Sequence, residues 1–169
     1  MMRRHHLLLL LSGLFANIQG CAQPANPPAD QGGPLIAEVL YSTHQCGLAA
    51  SQPTAVWVDN PQSLARIYQG FPVLPSIQPP PVDFTRSGVL LIGMGQRPTA
   101  GYGLSLAEGS PRLKGDTLEI RVNWQEPAPG RMLAQVLTAP CLLVKLPAVP
   151  FQQVTVIDQT GQVRVSTHR

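Results

Sequence analysis

The chain has 169 residues, 44% of them hydrophobic and only 12% charged, which is enough apolar material for one domain with a leader and a tail. Its 15 glycines and 18 prolines, about a fifth of the sequence, favour many short strands and turns over long helices. The formal net charge of +3 includes Arg3 and Arg4 near the N-terminus, and with no Lys/Arg run and few aromatics it argues against a nucleic-acid partner.

Residues 1–6 are short and basic, and residues 7–18 are apolar apart from Ser12, Gly13 and Asn17. A helix of that apolar length spans about 18 Å, against about 30 Å of bilayer hydrocarbon. The segment therefore reads as the hydrophobic region of a signal peptide and not as a transmembrane helix. Ile18-Gln19-Gly20-Cys21 resembles the lipobox of bacterial lipoproteins, with an aliphatic residue, a small residue and then cysteine. That resemblance implies removal of residues 1–20 and a mature N-terminus at Cys21 carrying diacylglyceryl and acyl (palmitate-type) chains, enough for stable anchoring. A plain secretory signal with a cysteine close by is the alternative. Ala22, where an aspartate would retain a Gram-negative lipoprotein at the inner membrane, implies sorting to the outer membrane, facing the periplasm. Residues 21–34 hold four prolines and no aliphatic side chain larger than alanine. They read as a tether reaching on the order of 40 Å.

Residues 35–169 read as the folded domain. Residues 35–41 (LIAEVLY) predict a first strand, and residues 54–58 alternate as a second. Asn60 and Pro61 then supply an N-cap and a first helical residue. Leu64, Ile67, Tyr68 and Phe71 recur at helical spacing, so residues 61–70 predict a short amphipathic helix ended by Gly70 and Pro72. The prolines at 72, 75 and 79–81 make residues 73–84 a surface loop.

Val89–Ile92 is a continuous aliphatic run, suited to a strand covered on both faces. The turn Arg97-Pro98-Thr99-Ala100-Gly101-Tyr102-Gly103 breaks it, and Leu104 and Leu106 alternate with polar or small residues beyond it. Together these predict a central hairpin. Residues 109–114 read as a polar turn. Residues 117–124 predict a strand with Leu118, Ile120, Val122 and Trp124 on one face. A Pro/Gly loop occupies residues 125–131. Residues 132–146 are strand-like but interrupted by Pro140, and residues 151–157 and 163–165 complete the domain.

An aliphatic strand followed by Arg97-Pro98-Thr99-Ala100-Gly101-Tyr102 resembles the PrcB-like family, whose hallmark there is Lys/Arg-Pro-Thr-Gly-Gly-Tyr. The resemblance runs from about Gly88 to Leu146. It includes the strand ending at Trp124, the Pro-rich loop after it, and the Gln135…Thr138-Ala139-Pro140 approach to a last aliphatic strand. The family is named for a lipoprotein subunit that stabilises a secreted bacterial protease. One departure stands out: the first of the two family glycines is Ala100, which would be strained if that position needed φ > 0.

Two readings of the turn are open. In one it is a structural hairpin with Tyr102 as a core plug. In the other, Arg97, Thr99, Gly101 and Tyr102 meet a protein partner, since loops on a rigid scaffold carry binding and Tyr and Arg are enriched at hot spots. A Pro-Thr-x-Gly-Tyr loop is also similar to one that chagasin-like inhibitors insert beside the active site of cysteine proteases.

With Cys21 lipidated, Cys46 and Cys141 remain as an even pair in an oxidising compartment. They read as a disulfide or as two separate buried thiols. His44 lies two residues from Cys46, but nothing marks a third, orienting group. There is no nucleophile elbow, phosphate loop, metal-ligand cluster or close carboxylate pair. Catalytic, metal and cofactor sites are therefore not expected. The expectation is a mainly β (α+β) domain, antiparallel sheets forming a sandwich or partial barrel with one short packed helix. Its expected role is a non-enzymatic envelope accessory module with a possible protease partner. The alternatives are a protease inhibitor using Thr99–Tyr102 and a small-ligand binder with a deep apolar pocket.

Overall fold

The computed structural model describes residues 35–72 and 78–169. The expected leader, the lipidation site Cys21, the tether and part of the proline-rich loop lie outside them. Among the described residues no helix is long and apolar enough to cross a membrane.

The strands are β1 (Glu38–Thr43), β2 (Thr54–Val58), β3 (Ser87–Gly93), β4 (Gly103–Leu106), β5 (Arg112–Lys114), β6 (Thr117–Gln125), β7 (Cys141–Pro147), β8 (Gln153–Ile157) and β9 (Val163–His168). The helix α1 spans Pro61–Gln69. The first sheet has the order β1-β7-β3-β2, antiparallel throughout. The second has the order β4-β6-β8-β9, with β5 also on β6. The fold is a β-sandwich: β2 lies near β9 and β1 near β4, but no ladder closes the two sheets into a barrel.

The aliphatic run of β3 is explained by its place. Leu90 and Ile92 enter the core between the sheets, while Val89 and Leu91 face a second core under α1. Strand β7 does the same, with Leu142, Val144 and Leu146 facing one way and Cys141 and Leu143 the other. A central strand covered on both faces has no reason to alternate polar with apolar residues. Strand β6 is covered on one face only, so Leu118, Ile120, Val122 and Trp124 are buried and Arg121 and Asn123 are exposed. Helix α1 starts as its sequence demands, with Asn60 Oδ1 accepting from the Ser63 N–H at 2.8 Å and Pro61 in the first turn. Leu64, Tyr68 and the following Phe71 anchor it on the first sheet.

Several expected elements are corrected. The first strand begins at Glu38, not at residue 35, and runs to Thr43, because the Leu35 N–H is already engaged by the Pro111 carbonyl at 2.9 Å. Residues 112–114, expected as turn, form the short strand β5 on β6. The last strand continues to His168. The stretch expected as strand from residue 132 joins a ladder only from Cys141. Pro140 has no N–H to offer a ladder, and Thr138 and Ala139 pair instead with Arg97 and His44. The central hairpin is not a hairpin. Strand β3 pairs with β2 and β7, and β4 pairs with β6 in the opposite sheet, so the turn crosses from one layer to the other. One pairing, β6 with β8, is parallel. It follows from the same layering, since the chain leaves the second sheet after β6, adds β7 to the first, and returns.

Candidate functional site

The turn between β3 and β4 is woven into two other segments. Arg97 and Thr138 exchange main-chain bonds, Arg97 N–H to Thr138 O at 2.7 Å and Thr138 N–H to Arg97 O at 2.9 Å. The Thr138 hydroxyl donates to the Thr99 carbonyl at 3.0 Å, and the Ala100 N–H donates to the Ala134 carbonyl at 3.0 Å. On the other side, Cys46 N–H reaches Ala139 O and Ala139 N–H reaches His44 O, both at 2.9 Å. His44 Nδ1 lies 2.9 Å from the Tyr102 carbonyl. Cys46 and Cys141 form a disulfide across 5.7 Å between Cα atoms, fastening the N-terminal segment to the start of β7. Residues 44–46, 94–102 and 134–141 thus make one patch at the end of the sandwich where β1 approaches β4.

Within that patch three of the four expected contact residues, Arg97, Thr99 and Tyr102, are half-buried. Arg97 is half-buried; one terminal guanidinium nitrogen donates to the Met94 carbonyl at 2.6 Å, and its charge sits 5.7 Å from the centroid of the Tyr102 ring. Its Nε is buried with no hydrogen-bond partner among the described residues. Tyr102 is half-buried against the inter-sheet core. Thr99 is half-buried and holds the turn through its carbonyl. Gly101 is exposed with φ +95°, and a Cβ there would meet Pro127 Cβ at 3.3 Å and the Leu133 methyl carbons at 3.6 Å. Every positive-φ residue described is a glycine, so Ala100 carries no left-handed strain. The demanding position of this turn is Gly101, which the family pattern and this chain share.

What the turn holds up is the strap of residues 131–137. It has no ladder partner, and it presents Met132 at 99% exposure, Leu137 at 58% and Val136 at 46%. Sequence reasoning passed over these side chains as part of an expected strand. The signal that distinguished them was the missing alternation before Pro140. His44 Nδ1 is engaged by the turn, and no carboxylate or hydroxyl hydrogen-bonds to its ring among the described residues. Among those residues no group of three or more His, Cys, Asp or Glu is placed to hold a metal ion. Beside the patch lies a shallow depression of about 130 Å³ between Gln45, Leu48, Gln96 and Leu137. A cleft of about 390 Å³ lies elsewhere, lined by the Glu38–Lys145 ion pair, Asp83 and Arg86.

Farther along β6 a charged network surrounds Trp124. Trp124 Nε1 donates to Glu126 at 2.9 Å, and Arg164 reaches both Glu126, at 3.4 Å, and the buried Asp158, at 2.8 Å. Asp158 is held down at about 2, first by the Thr160 hydroxyl, against the opposing effect of burial, and further by the Gln162 and Thr160 N–H groups and Arg164. The main-chain N–H and C=O of Trp124 are both taken by the Gln159 side-chain amide, at 2.8 and 3.1 Å. A side chain thus completes the ladder where β8 has ended, and it fixes the root of the loop that leads to the strap.

No curated protein and no solved structure matches the chain. Residues 89–147 match the family model described as PrcB C-terminal. The match begins in β3, contains the turn, β6 and the strap, and ends with β7. Over residues 89–147, the span that builds both the turn and the strap, this chain is similar to the PrcB C-terminal family.

Proposed function

We propose that the protein is a non-enzymatic accessory module of the bacterial cell envelope that binds an envelope or secreted protease and prolongs its life. The observation that carries this reading is the PrcB C-terminal match over residues 89–147, which contains the 94–102 and 134–141 parts of the woven patch. In this reading a lipid on Cys21 holds the module at the outer membrane, facing the periplasm, and the patch meets the protease. The inhibitor reading needs Thr99–Tyr102 to enter a foreign cleft. Against it, Thr99 and Tyr102 are half-buried and bonded to their own chain, leaving Gly101 as the exposed residue of that stretch apart from backbone.

The test is to add the purified domain, residues 22–169, to the protease recovered with the full chain from detergent-solubilised envelopes. Proteolytic activity is then followed over time. A stabiliser leaves initial activity unchanged and lengthens its half-life; an inhibitor lowers initial activity in proportion to the amount added. If neither changes, the accessory reading falls. Membrane fractionation of a Cys21→Ala variant tests the anchor separately, with release into the soluble fraction as the expected result.

A further inference from the structure

We propose that the partner is read by the strap of residues 131–137 and not by the turn beneath it, and that the strap seats in an apolar concavity with an acidic rim on a protein partner. This rests on the accessory-module reading and names the surface and the chemistry that reading lacks.

Exposure comes first. Of the seven large apolar side chains exposed among the described residues, three, Met132, Val136 and Leu137, fall within six consecutive positions. The other four, Ile36, Val39, Val56 and Val163, lie on separate strands or at the domain entrance. Single exposed hydrophobes need no explanation, but a cluster marks a contact surface. Met132 stands almost wholly in solvent, so the strap projects and its counterpart is concave. Methionine is also enriched at interface cores and adapts to irregular pockets.

Charge decides the rim. No charged residue occurs from Met132 to Val144. Arg131 at the head of the strap is exposed, and its side chain makes no hydrogen bond or ion pair among the described residues. The nearest acid in sequence, Glu126, is already shared by Trp124 and Arg164. The local excess is positive, and carboxylates on the partner complement it. One cation and three apolar side chains are too little for stable insertion in a bilayer, which favours protein as the occupant.

Preorganisation is the third observation. The strap is pinned by Ala100 N–H to Ala134 O, by Gln45 Nε2 to Leu137 O at 2.6 Å, and by the Arg97–Thr138 pair at its end. Leu133 rests over Gly101. Yet the N–H groups of Met132, Leu133, Ala134, Gln135 and Leu137 have no partner among the described residues. A segment held in shape with free main-chain donors loses little entropy on binding. In this arrangement the Arg97–Tyr102 residues position the strap without touching the partner.

The experiment uses the full chain in the cells that make it, with a photo-crosslinking phenylalanine analogue placed at 132, at 137, or at the exposed control position 163. A Met132→Ser/Leu137→Ser variant is compared with a Val163→Ser variant for affinity to the protease recovered with the parent, after thermal melts show both folded. The proposal expects crosslinks to that protease from 132 and 137 but not from 163. It also expects at least a tenfold affinity loss for the strap variant and none for the control. If the protease is still bound and protected but the crosslinks come from 163, or the strap variant binds like the parent, the strap assignment is overturned and the accessory reading stands. Crosslinking to a second copy of the chain or to lipid also overturns it. If no protease is bound or protected at all, the accessory reading falls and the strap assignment with it.

Discussion

Arg97 and Thr138 face each other across the end of the sandwich and exchange both main-chain hydrogen bonds, at 2.7 and 2.9 Å. They are an isolated antiparallel pair outside any named strand. Through this pair the turn after β3 and the approach to β7 become one unit, so the geometry of the strap is inherited from the turn.

The side-chain half of that link is open to test. Thr138 is buried, with 8% of its surface exposed, and its hydroxyl bonds Thr99 O. Thr138→Val keeps the shape and removes the donor, leaving the Thr99 carbonyl without it. The expected cost is about 1 kcal/mol. Urea denaturation at neutral pH checks it, and a variant as stable as the parent would show that the bond contributes nothing.

Gly101 and Ala100 make a paired prediction. Gly101→Ala places a Cβ at φ +95° facing Pro127 and Leu133, and should cost about 1–3 kcal/mol. Ala100→Gly relieves no strain, because Ala100 does not have positive φ, and should destabilise by up to about 1 kcal/mol through the freer unfolded chain. Thermal melts of the two variants should therefore both shift downward, Gly101→Ala further. A rise for Ala100→Gly would mean that alanine is strained at this position after all.

The Cys46–Cys141 bridge closes a separation of 95 residues. In the chain-entropy account a loop of that length is worth up to about 4–5 kcal/mol. Cys46→Ala/Cys141→Ala should lower stability by a large part of that figure. The amide protons of Cys46 and Ala139, which join the two bridged segments, should exchange with solvent much faster in the variant. Unchanged exchange at those two amides would show that the main-chain bonds hold the segments together without the bridge.

Asp158 supplies a pH signature. Its carboxyl is held at about 2, below the ordinary value of about 3.9 for an unfolded aspartate. A depressed folded value means that the stabilisation is complete above the unfolded value and is lost as pH falls through the folded one. Asp158→Asn should therefore be less stable than the parent at pH 7, with the gap narrowing from about pH 4 towards pH 2. Urea midpoints across that range measure it; a gap independent of pH would show that the charge of the carboxylate, bonded by Thr160, Gln162 and Arg164, is not its source.

Much of the fold was legible locally. The N-cap at Asn60, the spacing of Leu64 and Tyr68, the alternation of β6 and the unbroken aliphatic run of β3 each state which faces a segment can bury, and the structure buries those faces. The identity of the turn was legible as well, because Pro98 and Gly101 restrict their own backbones wherever they occur. The site was only half legible. Arg97, Thr99, Gly101 and Tyr102 do come together with the bridged cysteines, but three of those four are half-buried and support Met132, Val136 and Leu137.

Composition and periodicity thus determined the class of fold, the single helix of the described residues and the special backbone of the turn, since these depend on each residue's own φ, ψ and neighbours within a few positions. Tertiary structure alone decided that β3 and β4 lie in different sheets, that β6 meets β8 in parallel, and that Met132, Val136 and Leu137 are left in solvent. An apolar segment carries no local mark of which distant backbone will take up its N–H and C=O groups. Here Arg97 and His44, 41 and 95 residues before Thr138 and Ala139 in the chain, took the bonds around Pro140, and the strap was left without a ladder.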